Sequence, residues 1–370
     1  MPAPSAPPPR LPGRRVLITG ASSGVGLEAA RRFAAEGARL ALLARGADAL
    51  AEVAAAEGLD AVLVPVDLAD HAAVDRAVAT AVAALGGLDV VVSNAASAVF
   101  GHLGEVHPDD FDRTVAVTFT GAVNVIRAAL PHLRASRGTI VATGSLMASV
   151  PMPTWSSYAA AKHALRGFLT SLAIEELEQR SGVRVAMIHP GPIDSPLFAQ
   201  ASSATGRRPR VPPDAYRPAV IAQALVEVAV RPRAEVLLGG ETRLVGLSYR
   251  LTPALGRRLL LVIDRWYRSG EEPADRPGSL WTAPRHPRSS GGIPARDSLL
   301  APLQLGSRLR PRAATPLELA RHVLLSARRA VELRGRLLRP VPETPPPPHG
   351  LSVPRPGDVA PPATAGTVDL

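Results

Sequence analysis

Val16-Leu17-Ile18-Thr19-Gly20-Ala21-Ser22-Ser23-Gly24-Val25-Gly26-Leu27-Glu28-Ala29-Ala30 decides the fold. Three consecutive apolar residues read as a short buried strand. A glycine-rich turn follows, and then an apolar-periodic helix from about Gly24 to Glu36. The same rhythm continues outward from this unit. Strands are expected at Leu40–Ala44, Ala61–Val66, Asp89–Ser93, Thr139–Thr143, Val183–Ile188 and Val236–Leu238. Helices fall between them at about Ala49–Glu57, Ala72–Leu85, a long segment ending near Leu133, Ser157–Gln179 and Val220–Val230. Continuous apolar strands separated by helices imply a parallel sheet covered on both faces. The expected fold is a doubly wound α/β domain with about seven strands.

Composition supports a globular chain. Of 370 residues, 46% are hydrophobic and 20% charged, and no apolar run approaches the roughly 18 residues of a membrane span. The absence of cysteine excludes disulfide scaffolds, thiolate zinc sites and cysteine nucleophiles. Met1 to Arg15 is proline-rich and lacks the apolar core of a signal peptide, which leads to the expectation of a cytoplasmic protein. The net charge is +10 with only 4% aromatics, so nucleic-acid binding is not expected. The basic residues are 41 Arg and a single Lys, Lys162, and the only asparagines are Asn94 and Asn124. A lone lysine among so many arginines marks a position that needs a small titratable ammonium.

Proline density divides the chain, with 6 of the 38 prolines in residues 1–12, 14 in 13–270 and 18 in 271–370. The expected organisation is a disordered proline-rich tail (1–13), the α/β domain (14–240) and a helical extension (241–270). An Arg/Pro-rich extension (271–339) and a disordered tail (340–370) follow. Within the extension, Thr315, Pro316 and Glu318 form a capping box that opens a basic amphipathic helix over 315–338. That helix suits packing on the chain's own core or a partner subunit, with peripheral membrane contact as the other reading.

The glycine-rich turn lies between a strand and a helix, where a dinucleotide's pyrophosphate would sit. Gly20 permits the tight turn, Gly24 the approach of backbone to phosphate, and Gly26 close helix–strand packing. A simple loop is the competing reading. The second strand ends Leu43-Ala44-Arg45 with no acidic residue for ribose hydroxyls. Arg45 either pairs with a 2′-phosphate, which favours NADP(H) with NAD(H) as the alternative, or faces solvent. Asp67-Leu68 and Asn94-Ala95 stand at carboxyl ends of the third and fourth strands, where such sheets bind ligands. Gly144-Ser145 follows the fifth strand. Tyr158 and Lys162, four residues apart, share one helix face, where an ammonium would lower the phenol's pKa.

Together these residues resemble the classical short-chain dehydrogenase/reductase (SDR) family over about Arg14–Gly239, with an atypical C-terminal extension. The resemblance implies a Rossmann-type fold and a cofactor site built from Thr19, Gly20, Ser22, Ser23, Gly24, Val25, Gly26, Arg45, Asp67, Leu68, Asn94 and Ala95. Tyr158 and Lys162 would also touch the cofactor, and Asp67 would meet its adenine. Pro190, Gly191, Ile193 and Ser195 would close over the nicotinamide, Ser195 standing where Thr is usual. It assigns Ser145, Tyr158 and Lys162 to catalysis. Ala96 replaces the usual Gly, and Thr118, three residues before Gly121, occupies the position of the family's fourth catalytic residue, an Asn. Asn124 is roughly 9 Å further along the helix and cannot take its place.

The expected activity is NADP(H)-dependent interconversion of a secondary alcohol and a carbonyl. Apolar stretches such as Met147–Pro153 suggest a small hydrophobic alcohol or ketone as substrate, and the family resemblance implies a homo-oligomer. Phe198–Pro213 would form a substrate loop. His163 and His189 read as structural, with no metal-ligand spacing. The alternative is an NADP(H)-binding regulatory or interaction protein with little turnover.

Overall fold

The computed structural model describes residues 8–211, 215–239, 246, 249–268, 278–284 and 288–292. The expected helix over 315–338, the tail over 340–370 and Pro212 and Pro213 of the substrate loop lie outside these residues.

The opening unit is β1 (Arg15–Thr19) followed by α1 (Gly24–Ala35). Next come β2 (Arg39–Ala44), α2 (Ala47–Ala56), β3 (Ala61–Pro65), α3 (His71–Leu85) and β4 (Val90–Ser93). The second half holds β5 (Val99–Phe100), α4 (Pro108–Val115), α5 (Gly121–Ser136), β6 (Thr139–Thr143), α6 (Ser156–Glu178) and β7 (Arg184–Pro190). It closes with α7 (Leu197–Gln200), β8 (Ser202–Ser203), α8 (Pro218–Val230), β9 (Glu235–Leu238) and α9 (Pro253–Tyr267).

Seven strands form one parallel sheet in the order β3-β2-β1-β4-β6-β7-β9. The order reverses beside β1, so the carboxyl ends of β1 and β4 flank the crevice of a doubly wound fold. Pleating sends alternate residues to opposite faces. Val16 and Ile18 join Phe33 of α1 and Ile221 and Leu225 of α8 in one core layer. Leu17 joins Val74 of α3, Val125 of α5 and Leu165 of α6 in the other. The stretch Pro108–Ser136 is apolar enough by length and composition to cross a bilayer, but half of its most apolar part is buried in the fold.

Two features depart from expectation. The long helix before β6 is two α-helices joined by a π turn, Ala116–Thr120. A short parallel pair, β5 with β8, adds a second sheet beside the crevice. Residues 249–251 are helical, Thr252 is not, and Pro253 opens α9, consistent with proline's tolerance in a first helical turn.

The described N-terminal residues, 8–13, pack on the fold despite their proline content. Within the expected N-terminal tail, Leu11 is buried in the α1/α8 core layer. Arg10 bridges Glu36 and Glu227 at 2.5 and 2.6 Å. Proline density tracks loss of regular hydrogen bonding, which does not prevent packing.

Candidate active site

The turn after β1 owes its shape to glycine. Gly20 and Gly24 adopt left-handed φ values of 67° and 52°, and a Cβ on Gly20 would sit 2.9 Å from the Ala95 Cα. On Gly26 it would lie 2.7 Å from the Gly20 carbonyl carbon. Ser22 and Ser23 are half-buried on the turn and Val25 is buried beneath it. Ser23 precedes α1 without capping it, leaving the first-turn amides unserved by that side chain. The Gly24 N–H donates to the Arg288 carbonyl at 2.8 Å.

A hydrogen-bond chain laces the strand ends from this turn. Thr19 Oγ1 accepts from the Asn94 and Ala95 amides at 2.9 and 3.1 Å. Thr143 Oγ1 donates to Asn94 Oδ1 at 3.1 Å, and Lys162 Nζ donates to the Thr143 carbonyl at 2.7 Å. Lys162 is 2% and Tyr158 8% exposed, one turn apart on α6, with Nζ 5.6 Å from the Tyr158 ring centroid. Ser145, whose Oγ accepts from the Met147 amide at 3.1 Å, stands near enough to the Tyr158 hydroxyl to act on its titration.

Burial dominates the titration of this pair. It pushes Tyr158 up to about 12 against the weaker opposing effect of the nearby Ser145. It pushes Lys162 down to about 8. The expected lowering of the phenol's pKa is therefore not found: the cost of desolvating the phenolate dominates.

Thr118 sits in the π turn and is fully buried. Its Oγ1 accepts from the Ser97 N–H and donates to the Ser97 carbonyl, both at 3.0 Å. One lone pair of that hydroxyl remains. Asn124 is committed elsewhere, donating to the Leu68 carbonyl at 3.0 Å.

At the far end of the crevice Arg45 is neither solvent-facing nor alone. It donates to the Leu280 carbonyl at 2.8 Å and to the Ser279 carbonyl; burial, then the charge of Arg113, lowers its pKa. Arg113 pairs with Asp67. Burial would raise the Asp67 carboxyl, but Arg113 and the Ala69 amide hold it below its usual range. On the opposite rim, Pro190 ends β7 and the Gly191 N–H donates to the Leu238 carbonyl at 3.3 Å. Ile193 bridges to Tyr216. Ser195 and Pro196 lie against the turn, where a Cβ on Gly24 would come within 3.2 Å of the Pro196 Cδ.

The structure thus brings the expected site residues onto one edge of the sheet. It adds three features that sequence reasoning missed. Arg113 joins Arg45 and Asp67, but its chain position in α4 carries no motif. His189 faces the Ser145 carbonyl through Nδ1 at 3.2 Å, and burial lowers its pKa, which favours the neutral ring. Third, Phe100, Trp155, Tyr158, Phe198 and Tyr267 pack as one cluster, Tyr267 stacked on Phe198 at 6.2 Å and 7°. The scarcity of aromatics was the available signal. Among the described residues no group of three His, Asp or Glu could hold a metal ion.

The sequence model of the short chain dehydrogenase family matches residues 14–206. The uncharacterised oxidoreductase YxnA of Bacillus subtilis is 33% identical over 272 residues, covering 72% of this chain and 76% of that protein. An alcohol dehydrogenase from the archaeon Thermococcus sibiricus, solved in complex with 5-hydroxy-NADP, superposes with a TM-score of 0.53 at 26% identity. The match covers 61% of this chain and 95% of that one. A metagenomic short-chain oxidoreductase in complex with NADP gives 0.53 at 29% identity, over 62% and 98% of the two chains.

Proposed function

Because the chain belongs to the short-chain dehydrogenase/reductase family, and so to a family of oxidoreductases, we propose that it interconverts an apolar secondary alcohol and its carbonyl with NADP(H). The observation that carries this reading is the buried Lys162 one turn from Tyr158 with Ser145 nearby, joined through Thr143 and Asn94 to the glycine-rich turn. The turn's closeness, which leaves no room for a Cβ at Gly20 or Gly26, fits a pyrophosphate against bare backbone. Gly20 to Gly26 would hold the phosphates, Asp67 and Asn94 the adenosine and nicotinamide-ribose portions, and Pro190 to Ser195 the nicotinamide. Arg45 and Arg113, with no acid at the tip of β2, favour a 2′-phosphate. The two solved neighbours, each in complex with NADP or a hydroxylated form of it, support the same preference.

When bound, the dinucleotide supplies or accepts the hydride. Ser145 orients the substrate oxygen. Tyr158, protonated across the neutral range, gives that oxygen its proton in reduction and takes it back in oxidation. Lys162 supplies the positive charge that compensates the phenolate left by proton donation. Trp155, Phe198 and Tyr267 exclude water and present an apolar wall to the substrate.

A panel of apolar ketones, followed by NADPH oxidation, tests the reading with wild type and Tyr158→Phe. The variant should keep NADPH affinity and lose roughly 10²- to 10⁴-fold in kcat. Undiminished turnover would refute the mechanism. NADPH binding without turnover by wild type on any carbonyl would favour the interaction-protein alternative.

A further inference from the structure

Two C-terminal segments, 278–284 and 288–292, lie along the crevice and make contacts that the proposed cofactor would need for itself. The Arg288 carbonyl takes the Gly24 N–H, and the Ser279 and Leu280 carbonyls take both terminal nitrogens of Arg45. Arg113 Nε, beside Asp67, also donates to the Leu280 carbonyl at 3.3 Å. Gly291 closes the other side, its N–H donating to the Asp194 carbonyl at 3.3 Å. The bonds thus span the adenosine end, the phosphate turn and the Pro190–Ser195 rim.

The fit is built and not incidental. Gly278 has φ 61°, and a Cβ there would sit 2.6 Å from the Gln200 carbonyl oxygen; at Gly291 it would sit 2.6 Å from Asp194 Oδ1. Leu280 is 1% exposed against Val99 and Val106. The Ser279 N–H donates to the Gln200 carbonyl at 2.7 Å, and Trp281 Nε1 donates to Asp110 at 2.7 Å beneath the Arg113 guanidinium. A carbonyl and a phosphate oxygen cannot both occupy one backbone N–H.

We propose that these segments form an autoinhibitory strap that competes with the dinucleotide for Arg45 and the Gly24 amide, so that cofactor binds only as the strap leaves. The inference rests on the dinucleotide reading above. Apparent affinity then falls by the fraction of molecules whose strap is open. A strap closed nine times in ten costs about tenfold.

Two variants of the full-length chain unseat the strap without touching a cofactor contact: Leu280→Ser removes its apolar anchor, and Gly278→Val its tight turn. Each should tighten NADPH binding by about tenfold. Hydrogen exchange on the wild type is the control that needs no substitution: the Ser279 and Gly291 amides should be protected alone and lose protection at saturating NADPH. Equal NADPH affinity in all three proteins, with both amides still protected at saturation, would overturn the strap and leave the dinucleotide site standing. Weaker binding in both variants would instead make the segments part of the site and likewise overturn the proposal. Failure of all three to bind NADPH or NADH would overturn the dinucleotide reading and the strap with it.

Discussion

Lys162 has a special environment as well as a special identity. An ammonium with 2% exposure and the Thr143 carbonyl as its hydrogen-bond acceptor keeps its charge only below about 8. Tyr158, at about 12, remains a proton donor throughout that range. The sign of the pH dependence follows. Carbonyl reduction should be level below pH 8 and decline above it, as Lys162 loses its proton and the developing phenolate loses its compensating charge. A pH–kcat profile checks this, and Lys162→Met should abolish the inflection. The identity of the pair was legible because lysine occurs once and tyrosine stands one turn away. The balance of their pKa values was not, since desolvation depends on what α6 packs against, which local sequence does not specify.

Elements position these groups through close approaches that glycine and threonine make possible. Gly26→Ala would drive a methyl against the Gly20 carbonyl carbon, where neither backbone can yield, and should cost about 3 kcal/mol or more in urea unfolding, with loss of NADPH binding. Thr118→Val would leave the Ser97 N–H and carbonyl unpaired in a buried turn. It should destabilise by about 1–3 kcal/mol, measurable in the same way. The strand–helix rhythm was readable because each strand is a compact apolar run bounded by turn residues. The π turn was not: Ala116–Thr120 contains no proline or glycine to mark a break in the helical run. Family resemblance marked Thr118 as an altered catalytic position, whereas its hydroxyl spends two of its three hydrogen-bonding capacities on tying α4 and α5 to the segment after β4.

At the scale of the whole molecule, distant chain segments converge on the crevice. Asp264 of α9 is 1% exposed, accepts from Thr154 Oγ1 at 2.6 Å and pairs with Arg268 at 2.9 Å. Thr154 holds a left-handed φ of 58°, a conformation that a branched side chain adopts only when its surroundings impose it. Asp264→Ala should therefore loosen α9 and the Tyr267 wall, lowering stability by about 2 kcal/mol. KM for an apolar ketone should rise while NADPH affinity stays unchanged. None of this was visible from sequence, where residues 154 and 264 are unrelated loop and helix positions and proline density suggested irregular appendages.

The most direct test of the central claim, a site for the phosphorylated dinucleotide, is a fluorescence titration with NADPH and NADH on wild type and Arg45→Ala. The account predicts tighter binding of NADPH than NADH by wild type, and a preference reduced about tenfold in Arg45→Ala. Equal binding of the two cofactors by wild type, unaltered in Arg45→Ala, would contradict it.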